Sequence, residues 1–481
     1  MDVHLTLIFL IPPIDIHKMM KKGLLPMSID LFSINRKEIL INVFNHEESN
    51  FVPWVPFAGI HAASLKGYTA TEILTDGSKL LECLLEVNRL YHPNGQPITF
   101  DLQIEAEILG CNLKWSDKSP PVVYKHPLAN NLKIPSKIPL ESDGRLGMIL
   151  DVMRKFKIEV GNETALFGLV TGPLTLASHL RGTDFYLDLI TKINFAHRLL
   201  DYTKDVALKI SDYYIKAGMD IVAIVDPVVS QISPKTFNEF LIEPFKEIFG
   251  FIKDENTFSS FFVCGDATKN LNPMCNTKPD SIFVDENIIM DEAKRILAPH
   301  NIILGGNIPL TTTMLFGTQQ DNMKYVVELI DKLGKKNLII SPGCDMPYDV
   351  PPENVIGVVQ AVHEPELIKQ SLEDYEKEEI NLDVDLPNYK SLSKPLIEVF
   401  TIDSTVCAAC GYMLKTALEA KNEFGNRVDI VEYKFTNRKN IVRAKKLKIN
   451  HLPCILINGE LKYSSIIPSK SELVHQIKKV I

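Results

Sequence analysis

No apolar run in this sequence approaches the roughly 20 residues that cross a bilayer. The longest candidate near the start, "LTLIFLI", is too short, and it has neither a basic region before it nor a small-residue cleavage site after it. No signal peptide or membrane span is expected, and the expected compartment is the cytoplasm. Positive charge is not in excess either: the formal net charge is −8. That balance argues against a broad nucleic-acid surface. Cysteine is sparse, with eight in 481 residues, at 83, 111, 264, 275, 344, 407, 410 and 454. So few in so long a chain exclude a disulfide scaffold and leave packing, metal ligation or redox chemistry. What is present is the mixture of a globular protein, 45% hydrophobic and 23% charged, with a length that suits two or three domains, or one large barrel plus a small domain.

Residues 1–30 show no clear periodicity. Met27 precedes "SIDLFSINRKEILINVFNHEE", whose pattern predicts a capped amphipathic helix. The folded part is therefore expected to start near there, with 1–29 as an extension and Met27 as an alternative start. Short β-type runs then recur at 53–57, 97–100, 165–170, 220–225, 260–263, 281–284, 301–306 and 337–341. Most are continuously apolar, as strands buried on both faces are. Helical patterns lie between many of them, clearest at 186–217, 235–253, 290–297 and 319–333. Eight strands alternating with helices predict an α/β fold, a (β/α)8 TIM barrel with insertions, over 30–370. Active sites of such barrels are built at the C-terminal strand ends. Here those ends carry His61, Asp101, Asp226, Cys264, Asp285, Glu286, Asn307 and Cys344.

An acidic helix end and linker is expected over 371–394, and a small α/β domain over 395–481. In that domain "VCAAC" falls between a predicted strand and a helix. A helix N-terminus lowers the pKa of the first thiol of such a pair, and the second closes a disulfide. Cys407 would be the exposed nucleophile and Cys410 the resolving thiol. The alternatives are half of a zinc site or a silent relic. The unit resembles the thioredoxin and glutaredoxin-like fold, including Pro453 before a strand, where that family places a cis-proline. It departs from the usual motif in having Ala408-Ala409 in place of Gly-Pro and no Trp before Cys407. Cys454 reads as a buried strand cysteine.

The barrel segments "FDLQIEAEILGC", "FGLVTGPLTLASHLRG", "GMDIVAIVDPVVSQISPKTFNEFLIEP", "VCGDATKNL", "VDENIIMDEAKRIL", "LGGNIPLTTTMLFGT" and "ISPGCDMPYDVPPENV" run in order over most of 30–370. Together they resemble the uroporphyrinogen decarboxylase superfamily and, within it, the corrinoid-dependent methyltransferases. The decarboxylases carry an Arg-Gln-Ala-Gly-Arg stretch near the N-terminus that holds substrate carboxylates. Here the first strand runs into "FAGIHAASLKG" instead. In the methyltransferase branch a His-x-Cys after one strand and a Cys after the last bind zinc, which lowers the pKa of a thiol substrate and presents it to a methyl group on a cobalt corrinoid. Cys264 and Cys344 fall where those ligands should be.

The resemblance has one gap. Phe262 occupies the position of the expected histidine, and a phenyl ring ligates nothing. Three readings stay open: zinc held by Cys264, Cys344 and a carboxylate, Glu286 or alternatively Asp285; His61 as the replacement ligand; or no metal, with the two cysteines a redox pair or passive. Asp101 and Glu105 either hold polar groups of a substrate or cofactor or cap a helix. Asp226 either orients reacting groups, a catalytic role, or forms an Asp-Pro turn. Asn307 either reaches the cofactor site or satisfies loop backbone. The "GPLTLASHLRG" loop reads as architecture, and His92, His126 and His179 have no evident partner. The leading expectation is a zinc-dependent methyltransferase acting between a separate corrinoid protein, since the chain has no Asp-x-His-x-x-Gly corrinoid motif of its own, and a small-molecule thiol or other methyl acceptor or donor. The alternatives are a decarboxylase of porphyrinogen type and a metal-free redox or thiol-carrier protein.

Overall fold

The computed structural model describes residues 35–376, 382–404, 408–449 and 451–481. Cys407 and the whole N-terminal extension, 1–29, lie outside the described residues. The helix predicted after Met27 is described as Arg36–Phe44; the Asn35 side chain caps it by accepting from the amides of Lys37 and Glu38.

Seven parallel strands form one sheet, in the order Gly95–Pro97, Ala165–Thr171, Ile221–Val225, Phe258–Val263, Ser281–Val284, Ile303–Ile308 and Leu338–Pro342. The run 53–57, expected as the first strand, is not a full strand. It makes a single parallel bridge, Trp54 to Ile340, with Val55 N–H donating to the Ile340 carbonyl and Ile340 N–H to that of Pro53. On its other side Asn94 N–H donates to the Trp54 carbonyl at 3.0 Å, so this short segment lies between the last and first strands. The fold is an α/β barrel-like structure in which seven strands and one bridging segment surround an apolar interior.

The strands are apolar on both faces because each face is covered. Inside, Phe57, Phe100, Phe167, Phe262 and Phe283 pack against one another, with Phe57 and Phe262 ring centroids 4.7 Å apart. Outside, residues such as Leu166, Val222, Ile224, Phe261 and Ile340 face the helices. Burying each phenyl group contributes roughly 1.5–3 kcal/mol.

Beyond the barrel, a four-stranded sheet runs in the order Asp429–Lys434, Leu396–Thr401, Cys454–Ile457, Glu460–Ser464. The first pairing is parallel and the other two antiparallel. Helices Ala408–Lys421 and Lys470–Lys478 cover one face, through Met413, Ala417, Leu473 and Ile477, and Arg438–Lys446 covers the other, where Ala444 meets Phe400 and Cys454. Cys454 is fully buried in its strand, and the Leu452–Pro453 bond is cis.

This second unit sits on the mouth of the barrel. The Tyr412 hydroxyl lies 3.2 Å from Ser178 Oγ and 3.5 Å from His179 Nδ1. Leu452 N–H donates to Asn287 Oδ1, Ile467 N–H to Gln231 Oε1, and Arg438 to the Phe316 carbonyl while lying over that ring.

Candidate functional site between the barrel mouth and the C-terminal unit

A cavity of about 400 Å³ lies where the two units meet. Its floor is made by strand ends: Cys264 directly follows Phe258–Val263, and Cys344 follows Leu338–Pro342 by way of Gly343. Two strands separate these in the sheet, so the thiols come from opposite sides of the mouth. The turn of each strand into a loop brings them into hydrogen-bonding contact, and both are half-buried and outside any disulfide. The contact with Cys264 lowers the Cys344 thiol, but burial and the neighbouring Asp345 charge outweigh it and leave the group above its ordinary value. The roof comes from the second unit and includes Ile402, Asp403, Ala409, Thr436 and the Leu452–Pro453 turn.

Asp285 and Glu286 follow Ser281–Val284, the strand next to that of Cys264. Asp285 lines the cavity and accepts from the amides of Gly265 and Asn287. Glu286 reaches toward Gly343, where a Cβ would come within 2.5 Å of its Oε2. Only glycine leaves room for a carboxylate there. That Oε2 atom is buried without a partner. Burial raises the pKa of both acids, and the charge of Asp285 raises Glu286 further.

The donor set suits a zinc ion in kind: two sulfurs already in contact, and one orphaned carboxylate oxygen beside the residue preceding Cys344. Among the described residues no three His, Cys, Asp or Glu side chains are gathered as a cage, so the third donor is near but not drawn in.

Six expected site residues do not line this cavity: Glu286, which lines a smaller neighbouring pocket, and His61, Asp101, Asn307, Asp226 and Cys410. His61 opens the short helix His61–Ser64 rather than ending a strand. Its Nε2 is 2.7 Å from the Tyr91 hydroxyl and its Nδ1 faces the Tyr348 carbonyl, and burial pushes its pKa down to about 4. Both ring nitrogens are thus engaged away from the thiols. Asp101 is ion-paired with the largely buried Arg145 at 2.5 Å and accepts from Gln103 N–H. Asn307 donates to the carbonyls of Asp285 and Ile288 and accepts from Tyr325, which uses its whole amide to fix the loop. Asp226 accepts from Leu174 N–H, Thr175 N–H and Thr175 Oγ at the start of the helix Pro173–Arg181. Burial pushes its pKa up to about 7. A Cβ on Gly172 would meet its carboxylate at 2.4 Å, so the glycine makes room for this cap. Cys410, in the helix Ala408–Lys421, is fully buried.

Phe262 explains the missing histidine. It is fully buried in the aromatic cluster of the barrel interior, one layer beneath the thiols. Its side chain contributes packing where the resembled motif has a donor.

Three further lining residues have at most a weak signature in the sequence. His179, 3% exposed, lines the cavity with Nε2 unpartnered, and burial pushes its pKa down to about 3. Gln103 Oε1 and Asp345 Oδ2 are likewise buried without partners. The adjacency of Asp345 to Cys344 in "GCDMP" was the one available signal; His179 lies in a segment that reads as architecture.

A parallel-strand barrel with thiols and acids at its strand ends defines a barrel enzyme whose chemistry sits at the mouth. Residues 35–365 match the family model described as uroporphyrinogen decarboxylase (URO-D), and the chain belongs to that family. It is 28% identical over 268 residues to the methylcobamide:CoM methyltransferase MtbA of Methanosarcina acetivorans, covering 55% of this chain and 77% of that protein. It is 27% identical over 272 residues to MtaA, of the same description, from Methanosarcina barkeri, covering 55% and 78%. The uroporphyrinogen decarboxylase of Nostoc is 25% identical over 294 residues, covering 58% and 82%. Among solved structures, a methyltransferase from Methanosarcina mazei superposes with a TM-score of 0.64 at 23% identity, covering 69% of this chain and 99% of that one, which supports the barrel fold. No helix among the described residues is long and apolar enough to cross a membrane.

Proposed function

We propose that the chain is a corrinoid-dependent methyltransferase that moves a methyl group between a separate corrinoid protein and a small thiol. The observation that carries this reading is the pair of thiols in contact at the mouth of a barrel of this family, Cys264 and Cys344. The relatives described as methylcobamide:CoM methyltransferases support the same branch. The porphyrinogen reading is weaker on charge. Lys118 is the one Lys or Arg among the described lining residues, and it is already paired with Asp349 at 2.8 Å. A substrate with eight carboxylates would find no free cation there.

In this reading Cys264, Cys344 and Glu286 hold zinc, and the ion, when bound, lowers the pKa of the incoming thiol. The chain's residues do the rest. Asp285 anchors the Gly265 amide and so fixes the Cys264 loop. The aromatic cluster closes the floor against water from below. The corrinoid of the partner protein would supply the methyl group and keep the electron pair of the bond to carbon, and the substrate thiol would give up its proton to solvent as the carbon–sulfur bond forms. The second unit serves as a thiol-redox domain of thioredoxin-like type, with Cys407 and Cys410 as its dithiol; its strand order and two-sided helix cover support that assignment.

The test is metal content and transfer on protein purified reduced and without oxygen. About one zinc per chain is expected, with methyl transfer from methylcobalamin to a thiol. Full zinc retention in the Cys264→Ala, Cys344→Ala double variant, with the Cys407/Cys410 unit excluded as the holder, would overturn the assignment.

A further inference from the structure

We propose that two barrel residues, Asn287 and Gln231, are positioning residues that make the placement of the Cys264 thiol depend on the seating of the C-terminal unit; what the placed thiol does rests on the methyltransferase reading, and the placement itself does not. The observation is a pair of amide bridges that converge on one loop. Leu452 N–H, in the second unit, donates to Asn287 Oδ1 at 3.4 Å. Nδ2 of the same side chain donates to both oxygens of Asp285, each at 3.1 Å. Asp285 accepts in turn from the amide of Gly265, the residue after Cys264. On the other side of that loop, Ile467 N–H, also in the second unit, donates to Gln231 Oε1 at 3.2 Å. Gln231 Nε2 donates to Ser230 Oγ at 2.9 Å, and Ser230 donates to the Pro227 carbonyl at 2.8 Å. Ser230 stands against the same glycine: a Cβ on Gly265 would lie 2.7 Å from Ser230 Oγ and 4.0 Å from Gln231 Nε2.

The two bridges share one design. An amide side chain carries an acceptor on one atom and donors on the other. Here each acceptor meets a backbone N–H of the second unit, and each donor grips the barrel beside Gly265. Asp285 serves only as an acceptor in this chain, a role that its ionised and neutral forms both fill. With both ends held, each amide keeps one rotamer. Lifting the second unit frees the acceptor end, and the side chain regains rotamer freedom at the expense of its grip below. Cys344 is held differently, because its neighbours bond inside the barrel. Gly343 N–H donates to the Ile308 carbonyl at 3.0 Å, and Met346 N–H to that of Phe57 at 2.8 Å. Asp345 accepts from Gly59 N–H at 2.8 Å. The second unit thus bears on one thiol of the pair and not on the other. A site that needs both is complete only while that unit is seated, and a misplacement of about 1 Å costs on the order of 100-fold in rate.

The experiment reads the two thiols separately. The reduced full-length chain is treated with iodoacetamide, an uncharged reagent, and the alkylation rates at Cys264 and Cys344 are followed by peptide mass spectrometry. Asn287→Leu and Gln231→Met keep the side-chain size and remove both ends of a bridge. Each is expected to raise the ratio of the Cys264 rate to the Cys344 rate about 3-fold, and the double variant about 10-fold. An unchanged ratio, or an equal rise at both thiols, overturns the inference, because the second unit then acts only as a cover. Should the double variant fail to fold, as judged by far-ultraviolet circular dichroism, Gln231→Asn keeps the amide, shortens its reach and carries the same test at the about 3-fold level of a single variant. Methyl transfer from methylcobalamin to 2-mercaptoethanol is measured in parallel. The double variant is expected to lower kcat about 10-fold with the KM for the thiol within about 2-fold. A raised KM at unchanged kcat overturns the positioning role. No transfer by the unaltered chain, with the ratio shifted in the variants, removes the methyltransferase reading and supports the placement.

Discussion

The floor and the roof of the cavity are built differently. Each floor residue follows a strand locked into the seven-stranded sheet, and its neighbours are fixed by backbone amides, as Asp285 is by Gly265 and Asp345 by Gly59. The roof arrives through loops and one helix of a separate sheet and touches the barrel by scattered polar contacts, of which Tyr412 with Ser178 and His179 is the most buried. Chemistry that depends on sulfur position therefore belongs to the floor, and enclosure belongs to the roof. Rigid elements hold reacting groups more precisely than loops do.

That contrast can be broken at five points. The largest effect is expected at the floor. Cys264→Ser or Cys344→Ser should reduce methyl transfer by at least about 100-fold, taking the range known for outer-shell partners of metal sites as a lower bound; transfer rates measured beside far-ultraviolet circular dichroism will separate loss of chemistry from loss of fold. Phe262→His tests the layer beneath. It places an imidazole in an aromatic core and should cost about 3 kcal/mol or more in a urea titration. A gain in zinc affinity with no loss of stability would show that the floor tolerates the family's donor after all.

Glu286→Gln should weaken zinc by about 10-fold in competition with a chelator, because the orphaned oxygen beside Gly343 is the third donor in this reading. His61→Gln should leave zinc content unchanged, and it has a pH signature. The folded-state pKa of His61 is held near 4, below the 6.5 of a free imidazole. The unfolded chain thus binds the extra proton first, and the stability contributed by the neutral ring is fully present above about pH 6.5 and is lost as pH falls toward 4. The variant should flatten that part of a stability–pH curve. The smallest effect is expected at the roof. Tyr412→Phe removes one hydroxyl and should change stability by about 1 kcal/mol, yet raise the rate at which Cys344 is alkylated. An unchanged alkylation rate would mean that the roof is held by its apolar contacts alone.

The parts legible in the sequence were those with a local signature. Continuous apolar runs marked the strands, and a cysteine placed directly after such a run marked each half of the thiol pair. The first strand was overread: 53–57 has the composition of a strand but bridges its neighbour at only one pair, Trp54 and Ile340. Asp101, Asp226, Asn307 and His61 were overread for another reason. Each has a distant or fold-dependent partner, Arg145 for Asp101, the helix start at Leu174 for Asp226, Tyr325 for Asn307 and Tyr91 for His61. Nothing in the chain order shows that those partners will arrive. His179 was passed over by the same logic in reverse, since its place in the cavity depends on how the barrel is covered. The seating of the second unit rests on contacts more than 120 residues apart in sequence, from Arg438 with Phe316 to Ser178 with Tyr412.

The covering of the thiols has a consequence for the order of events. A cavity of about 400 Å³ admits a small molecule and has no passage for a protein. While Pro453 and Ile402 stand over Cys264 and Cys344, a carrier protein and a small thiol cannot reach the sulfurs by the same route at the same moment. Exchange with a carrier protein would have to wait for the roof to lift, whereas a small acceptor is best shielded from water when the roof is down. An opening at the polar contacts of Tyr412 would then be a step of every turnover, beside the bond-making itself.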